Sequence, residues 1–386
     1  MSAVELRVAL HCPYSLSVPG GVQSQVVALA CELRELGHRA TVLAPLDTSE
    51  RRDGHTGERR DGHTDEIVGL GRSVRIRANG SIAPVALGPT ASIRALAALR
   101  EGQFDVLHLH EPLAPGASYA CLFAGRPAKV GTFHRSGESV FYSALRPVAR
   151  ALAGRLQVRC AVSAEAMTTA QRALGGTYEL IGNGVDFGRF STAHPWPTDG
   201  RPTVMFVGRH EQRKGLSVLL DAMSRLSNRR AVCWIAGSGP ETSRLKERYP
   251  SSDSFVWLGP IDDDELASRL RGAEIACFPS LGGESFGVVL LEAMAARSAV
   301  VASDLPGYRA AAKGHAQLVV AGDPAALAEQ LEISLADAEA ARGGSSDLAL
   351  DAAFAYASSR SMSAVVKQYL SVYEEAIERR RTLGHA

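Results

Sequence analysis

The stretch EIACFPSLGGESFGVVLLEAMAA, residues 274–296, decides the fold of this 386-residue chain. It contains a short apolar strand, Ile275–Phe278, a glycine-rich loop at 282–287, and a helix that carries Glu292. A strand that leads through such a loop into a helix is typical of parallel α/β sheets, which bind ligands at the carboxyl ends of their strands. Because free amides at the start of a helix favour anions, the stretch predicts a diphosphate site.

The same alternation of short β-branched runs and helical patterns extends over the whole chain, which predicts an α/β fold of doubly wound, Rossmann-like domains. The length suits two domains of about 150–200 residues each. We expect an N-terminal domain over residues 1–190 and a C-terminal domain over residues 200–360, with a linker rich in Pro, Thr and Gly between them. A last helix within residues 361–386 is expected to cross back to the first domain.

Charge and composition narrow the possible partners. The net charge is only +1, although residues 1–190 hold 21 Lys and Arg against 17 Asp and Glu. This mild basic excess does not suit nucleic acid but fits an anionic phospholipid surface. Because the N-terminus enters a strand pattern directly and no apolar run approaches about 20 residues, we expect neither a secretory leader nor a membrane-spanning helix. Six scattered cysteines without a Cys-x-x-Cys pair predict free thiols, and hence a cytoplasmic protein, at most peripheral on the inner face of the membrane.

Two acidic residues belong to the opening stretch. Glu284 and Glu292 are eight positions apart, which on one continuous helix would place them on similar azimuths about 12 Å apart along the axis. That spacing suits one carboxylate for a sugar and the other for a ribose. The alternative is a glycine-rich loop followed by an ordinary helix with surface glutamates.

A basic loop, GRHEQRKG at residues 208–215, follows the first strand of the second domain and contains Arg209 and Lys214. Cations at the carboxyl end of a strand can neutralise a departing diphosphate, whereas the alternative is a solvated loop. In the first domain, Gly21 opens a helix after the first strand, and His134 ends another strand. Each of these two signals is weak alone. The glycine pair lacks the full spacing of a dinucleotide-binding motif, and a lone histidine at such a position is structural as often as it is functional.

Two further patterns favour structural roles. His108 and His110 alternate on a strand, which suggests hydrogen-bonded core histidines since no third metal ligand is evident. The acidic run at 262–265 precedes a helix, so N-capping explains it better than a metal site.

Taken together and in this order, the motifs resemble the retaining glycosyltransferases of the GT-B fold, with two Rossmann-like domains facing a central cleft. More narrowly, the chain resembles the bacterial phosphatidylinositol α-mannosyltransferases, which use GDP-mannose. The resemblance covers essentially the whole chain and rests on the stretches at 12–15, 18–24, 104–112, 183–186, 281–287 and 292–296. The stretch from Pro13 to Gln23 is the most specific of these.

The resemblance implies roles for individual residues. Donor-binding residues would be Gly21 at the diphosphate-sugar, Arg209 and Lys214 at the diphosphate, Glu292 at the ribose, Ile261 near the nucleobase, and Ser285, Phe286 and Gly287 through their backbone amides. Glu284 would contact hydroxyls of the transferred sugar, and His134 would lie at the reacting centre. Tyr14 and Gln23 would face the acceptor. The implied reaction is front-face retaining transfer without a metal or other cofactor, since side-chain cations stabilise the leaving group.

Two departures from the family pattern concern the acceptor. The family's basic lipid-binding helix corresponds here to residues 91–100, which contain only Arg94 and Arg100 as cations. Arg135 follows His134 where the family carries a small hydroxyl residue. Other cations, including Arg146, Arg150 and those of the arginine-rich repeat at 51–66, could instead attract the protein to an anionic membrane surface.

The sequence therefore leaves three possible functions to be tested. The first is mannosyl transfer from GDP-mannose to an inositol phospholipid at the membrane surface. The second is the same enzyme class with a soluble acceptor or another sugar nucleotide. The third is an inactive nucleotide-sugar-binding protein.

Overall fold

The computed structural model describes residues 5–18, 20–47, 67–78, 81–135, 146–227, 230–342 and 347–384. The chain divides into two compact units, of which the first is Met1–Gly184 together with Met362–Ala386, and the second is Val185–Ser361. Each unit is built on its own sheet. None of the described helices is both long and apolar enough to span a membrane.

The first unit contains a seven-stranded parallel sheet in the order β3-β2-β1-β6-β7-β8-β9. Its strands are β1 (Arg7–His11), β2 (Arg39–Ala44), β3 (Ile67–Gly69), β6 (Val106–His110), β7 (Ala128–Phe133), β8 (Val158–Ala161) and β9 (Glu179–Leu180), and a separate antiparallel hairpin is formed by β4 (Val74–Ala78) and β5 (Ser81–Val85). Its helices are α1 (Gly21–Glu35), α2 (Pro89–Glu101), α3 (Ala117–Leu122), α4 (Arg146–Ala153), α5 (Ala164–Leu174) and the C-terminal α14 (Met362–Gly384).

One face of this sheet is covered by α1 and α14. Leu29 and Leu33 of α1 and Val366 and Tyr373 of α14 are fully buried in the same core cluster as the β1 strand residue Leu10. Burying such side chains is worth about 1.5–3 kcal/mol each. The last helix is therefore part of the first unit's core, although it follows the whole second unit in sequence.

The second unit repeats the design with six parallel strands in the order β12-β11-β10-β13-β14-β15. Its strands are β10 (Thr203–Val207), β11 (Val232–Ala236), β12 (Phe255–Gly259), β13 (Ile275–Phe278), β14 (Ala299–Ser303) and β15 (Gln317–Val319). Its helices are α6 (Phe187–Thr192), α7 (Leu216–Met223), α8 (Thr242–Arg248), α9 (Asp263–Gly272), α10 (Val288–Ala295), α11 (Pro306–Ala312), α12 (Pro324–Arg342) and α13 (Leu348–Ser359).

The boundary between the units differs from the sequence-based one. Residue 190 was the predicted end of the first domain, yet the division follows Gly184 and places α6 in the second unit. There α6 packs on α9 and α10, and Arg189 forms an ion pair with Asp263 over 2.7 Å. A helix at the edge of a linker is assigned by its tertiary contacts, which local composition does not reveal.

Candidate functional site

In the second unit, two loops meet where the strand order reverses. The order β11-β10-β13 places β10 beside β13, although β11 and β12 separate them along the chain. The basic loop follows β10 and the glycine-rich loop follows β13, so both leave the same edge of the sheet side by side. Such a switch point is the usual ligand site of an open α/β sheet.

Side chains of the two loops form one charged cluster. Lys214 Nζ lies 2.7 Å from Glu284 Oε1, and an Arg213 guanidinium nitrogen lies 3.3 Å from the same oxygen. Arg213 and Arg209 also pair with the Glu211 carboxylate, over 3.0 and 2.8 Å. Three cations therefore face two carboxylates, which leaves a net positive charge suited to a phosphate group.

The position of Glu284 corrects the sequence analysis. The helix α10 begins at Val288, so Glu284 belongs to the loop and does not share a helix with Glu292. Gly287 adopts the left-handed region with φ 92°, and a Cβ there would lie 2.5 Å from the Tyr308 ring. The loop therefore turns sharply before the helix, and this turn lets the Glu284 carboxylate reach Lys214.

Five further predicted donor residues lie in the second unit, four of them just before or on α10. Phe286 is buried, and Ser285 and Gly287 are half-buried just before α10, where a helix leaves its first amides unbonded. Glu292 is on α10, and burial raises the pKa of its carboxyl to about 7, with the charge of Asp263 acting in the same direction. Ile261 is half-buried in the loop between β12 and α9.

The acidic run before α9 is an N-cap, as predicted. Asp262 Oδ1 accepts a hydrogen bond from the backbone N–H of Glu265 over 2.8 Å. Glu265 in turn pairs with Arg269 one turn later. These contacts account for the run structurally.

In the first unit, a second switch point lies between β1 and β6. The loop after β1 carries Tyr14, which is half-buried and forms an isolated bridge with Val85. The buried Gln23 side chain donates to the carbonyl oxygens of Ser15 and Val18, so it shapes this loop, and its predicted acceptor contact stays a prediction. Gly21 is exposed at the start of α1, with open space around its Cα.

His134 follows β7 and is buried in a histidine cluster. Its Nε2 lies 2.9 Å from His110 Nδ1, and burial lowers the pKa of His134 to about 3. The imidazole is therefore neutral at physiological pH. His108 bonds Tyr373 and Thr132 instead, which confirms the predicted structural role of that histidine.

Sequence reasoning missed three members of these arrangements. Arg213 lies in the basic loop and was visible as a third cation, but its contact with Glu284 required the tertiary fold. Ser280, which donates to Glu284, has no sequence signal. Glu111 accepts the backbone N–H of His134 over 2.7 Å, and only its place at a strand end could have pointed to it.

Two family models match the chain. The model described as Glycosyltransferase Family 4 matches residues 19–189, and the model described as Glycosyl transferases group 1 matches residues 201–337. The phosphatidyl-myo-inositol mannosyltransferase of Mycolicibacterium smegmatis is 41% identical over 315 residues, which cover 79% of this chain and 78% of that protein. The protein of the same name from Mycobacterium leprae is 39% identical over 345 residues, covering 84% and 86%.

Solved structures share the architecture at low identity. A glycosyltransferase from Rickettsia africae superposes with a TM-score of 0.72 at 18% identity, covering 97% of this chain and 99% of that one. The Anabaena protein Alr3699/HepE, in complex with UDP and glucose, gives a TM-score of 0.70 at 18% identity, covering 96% and 100%. At this identity the likeness concerns the fold.

Proposed function

Because the chain belongs to the family of the phosphatidyl-myo-inositol mannosyltransferases, which are GT-B glycosyltransferases, we propose that it transfers a mannosyl group from GDP-mannose to an inositol phospholipid. The observation that carries the proposal is the cluster that Arg209, Arg213 and Lys214 form with Glu211 and Glu284 at the switch point of the second sheet. This cluster brings together cations that can bind a diphosphate and a carboxylate that can accept hydrogen bonds from sugar hydroxyls.

In the proposed reaction, the bond between the sugar C1 and the diphosphate oxygen breaks while the acceptor hydroxyl attacks C1 from the same face. The proton of that hydroxyl passes to the departing diphosphate. Arg209 and Lys214 stabilise the negative charge that develops on the leaving group. His134 takes part as a neutral hydrogen-bonding group, because its pKa of about 3 keeps it uncharged. No metal is needed in this scheme, so transfer is expected to continue in EDTA.

The test is product analysis with labelled sugar nucleotides. We expect a mannolipid from GDP-mannose and phosphatidylinositol liposomes, and little product from UDP-glucose or free inositol. Transfer to a soluble alcohol without lipid product would favour the soluble-acceptor enzyme. Binding of a sugar nucleotide without turnover would favour the inactive binding protein.

Liposome binding tests the membrane part of the proposal. Arg146 and Arg150 are exposed on α4, where their guanidinium groups also donate to the carbonyls of Arg172 and Ala173. Each cation near an anionic surface contributes about 1 kcal/mol, within a Debye length of about 8 Å. The protein should sediment with anionic liposomes at low salt and be released at high salt. Arg155, two residues beyond α4, is exposed as well. Changing Arg146, Arg150 and Arg155 together to Ser should weaken sedimentation, and unchanged sedimentation would exclude these three arginines. The repeat at 51–66 lies outside the described residues.

Donor affinity should depend on pH through Glu292. With a pKa raised to about 7, its carboxyl is protonated below neutral pH and cannot accept hydrogen bonds from both ribose hydroxyls. The apparent Kd for GDP-mannose, whose diphosphate has no group that titrates near neutral pH, should therefore rise as the pH falls below 7, by at most about tenfold per pH unit, and level off above 8. Calorimetric titration of GDP-mannose without acceptor between pH 5.5 and 8.5 measures this. Glu292→Gln should bind more weakly with a flat profile, and an unchanged slope in that variant would contradict the assignment.

A further inference from the structure

The end of β6 holds the segment that follows β7. Glu111 turns its side chain back so that its Oε1 accepts the backbone N–H of His134 over 2.7 Å. The backbone N–H of Arg135 also bonds to this carboxylate. Glu111 donates its own N–H to the Thr132 carbonyl over 2.8 Å. Its main chain and its side chain therefore both bind the end of β7.

Backbone strain and burial of its carboxylate both raise the free energy of Glu111 in this arrangement. Its φ is 47°, in the left-handed region that residues with a Cβ rarely adopt. Its carboxylate is also withdrawn from water, with 5% of the residue exposed, and burial raises the pKa to about 7. Strain and a buried charge at one residue persist where the surrounding structure holds them, most often beside functional groups.

The neighbouring residue holds the ring of His134. His110 Nδ1 and His134 Nε2 are 2.9 Å apart, and the two rings stack with their centroids 5.1 Å apart. Both residues are buried. His110 thus binds the ring of His134, and the next residue, Glu111, binds its backbone.

We propose that His110 and Glu111 are positioning residues, which fix the orientation of His134 for sugar transfer without touching the substrate themselves. The inference rests on the proposed function, in which His134 lies at the reacting centre. Fixed geometry of this kind matters because misplacement of a reacting group by about 1 Å can cost about 100-fold in rate.

Glu111→Gln is the decisive variant, since its amide keeps the shape but offers one acceptor oxygen in place of the carboxylate's two to the backbone N–H groups of His134 and Arg135. We expect kcat to fall at least tenfold, while the Kd for GDP stays within twofold. His110→Asn, whose amide can replace Nδ1, should lose less activity than His110→Leu. Tyr373→Phe removes the buried hydroxyl that bonds His108 and serves as the control for lost stability. It should lower Tm with little effect on kcat.

The pH profile of kcat separates positioning from mere stability. The groups that face Glu111 are Arg135, Tyr14 and His134. Burial raises the pKa of Tyr14 and lowers that of His134 to about 3, so neither of these two groups titrates near neutral pH. At saturating donor, kcat of the wild-type enzyme should rise with pH through about 7, and Glu111→Gln should abolish this rise.

Two kinetic results would overturn the proposal. One is a wild-type kcat and pH profile in Glu111→Gln; the other is a loss of kcat no larger than that of Tyr373→Phe at the same loss of Tm. The ¹⁵N NMR signals of the His134 imidazole give a readout that does not depend on activity. They should shift in Glu111→Gln and His110→Leu, and unshifted signals in both would also overturn the proposal. If the wild-type enzyme fails to transfer mannose, only the proposed function fails, and these signals still decide whether the pair holds His134.

Discussion

Lys214→Ala is expected to lower kcat/KM about 100- to 1000-fold, which corresponds to about 2.7–4 kcal/mol of transition-state stabilisation. Lys214 is a half-buried cation 2.7 Å from Glu284, at the place proposed for the leaving diphosphate. Its ammonium would neutralise charge that develops only as the sugar leaves. The protein should stay folded, because Arg213 and Ser280 still contact Glu284. Initial rates with GDP-mannose and the melting temperature give both quantities.

Arg297→Ala is the matched control for this experiment. Arg297 forms an ion pair with Asp351 over 2.7 Å in the same unit, but it has no proposed role in donor binding. Its loss should change kcat/KM less than twofold, and exposed ion pairs contribute about 0–1 kcal/mol to stability. A folded Lys214→Ala enzyme with near-normal turnover would contradict the assignment of the basic loop to the diphosphate.

Gly215→Ala is expected to destabilise the second unit by about 3 kcal/mol and to abolish tight donor binding. Gly215 has φ 69°, and an added Cβ would lie 1.9 Å from the Pro279 carbonyl oxygen. That carbonyl immediately precedes Ser280 in the second loop, so the close approach is what places Lys214 against Glu284. The expected loss in Tm is about 6–12 °C, measured by calorimetry together with GDP titration.

Gly200→Ala separates the clash from the backbone strain. Gly200 has a similar φ of 83°, but an added Cβ would meet no atom within 4 Å. Its variant should lose only about 1 kcal/mol and keep its donor affinity. If both variants melt alike and bind GDP alike, the close approach at Pro279 has no special part in the site.

The sequence by itself determined the α/β class, the repeated strand-helix order and the positions of the basic and glycine-rich loops. These follow from local signals, since a β-branched run, a glycine-rich loop and a helical period each act over about ten residues. The strand Ile275–Phe278, for example, has the predicted bounds. Elements with weaker periodicity escaped prediction, among them the short β3, the β4–β5 hairpin and α13.

Only the tertiary structure decided which side chains meet. Glu284 is 70 positions from Lys214 and Glu111 is 23 from His134, and no local pattern encodes either contact. Both depend on strand order, because parallel neighbours bring the loops after their carboxyl ends to one edge of the sheet. The pKa values of Glu292 and His134 likewise follow from burial, which results from packing by residues distant in sequence. The positions of the loops therefore follow from local sequence. The contacts and pKa values of their side chains depend on the sheet that brings the loops together.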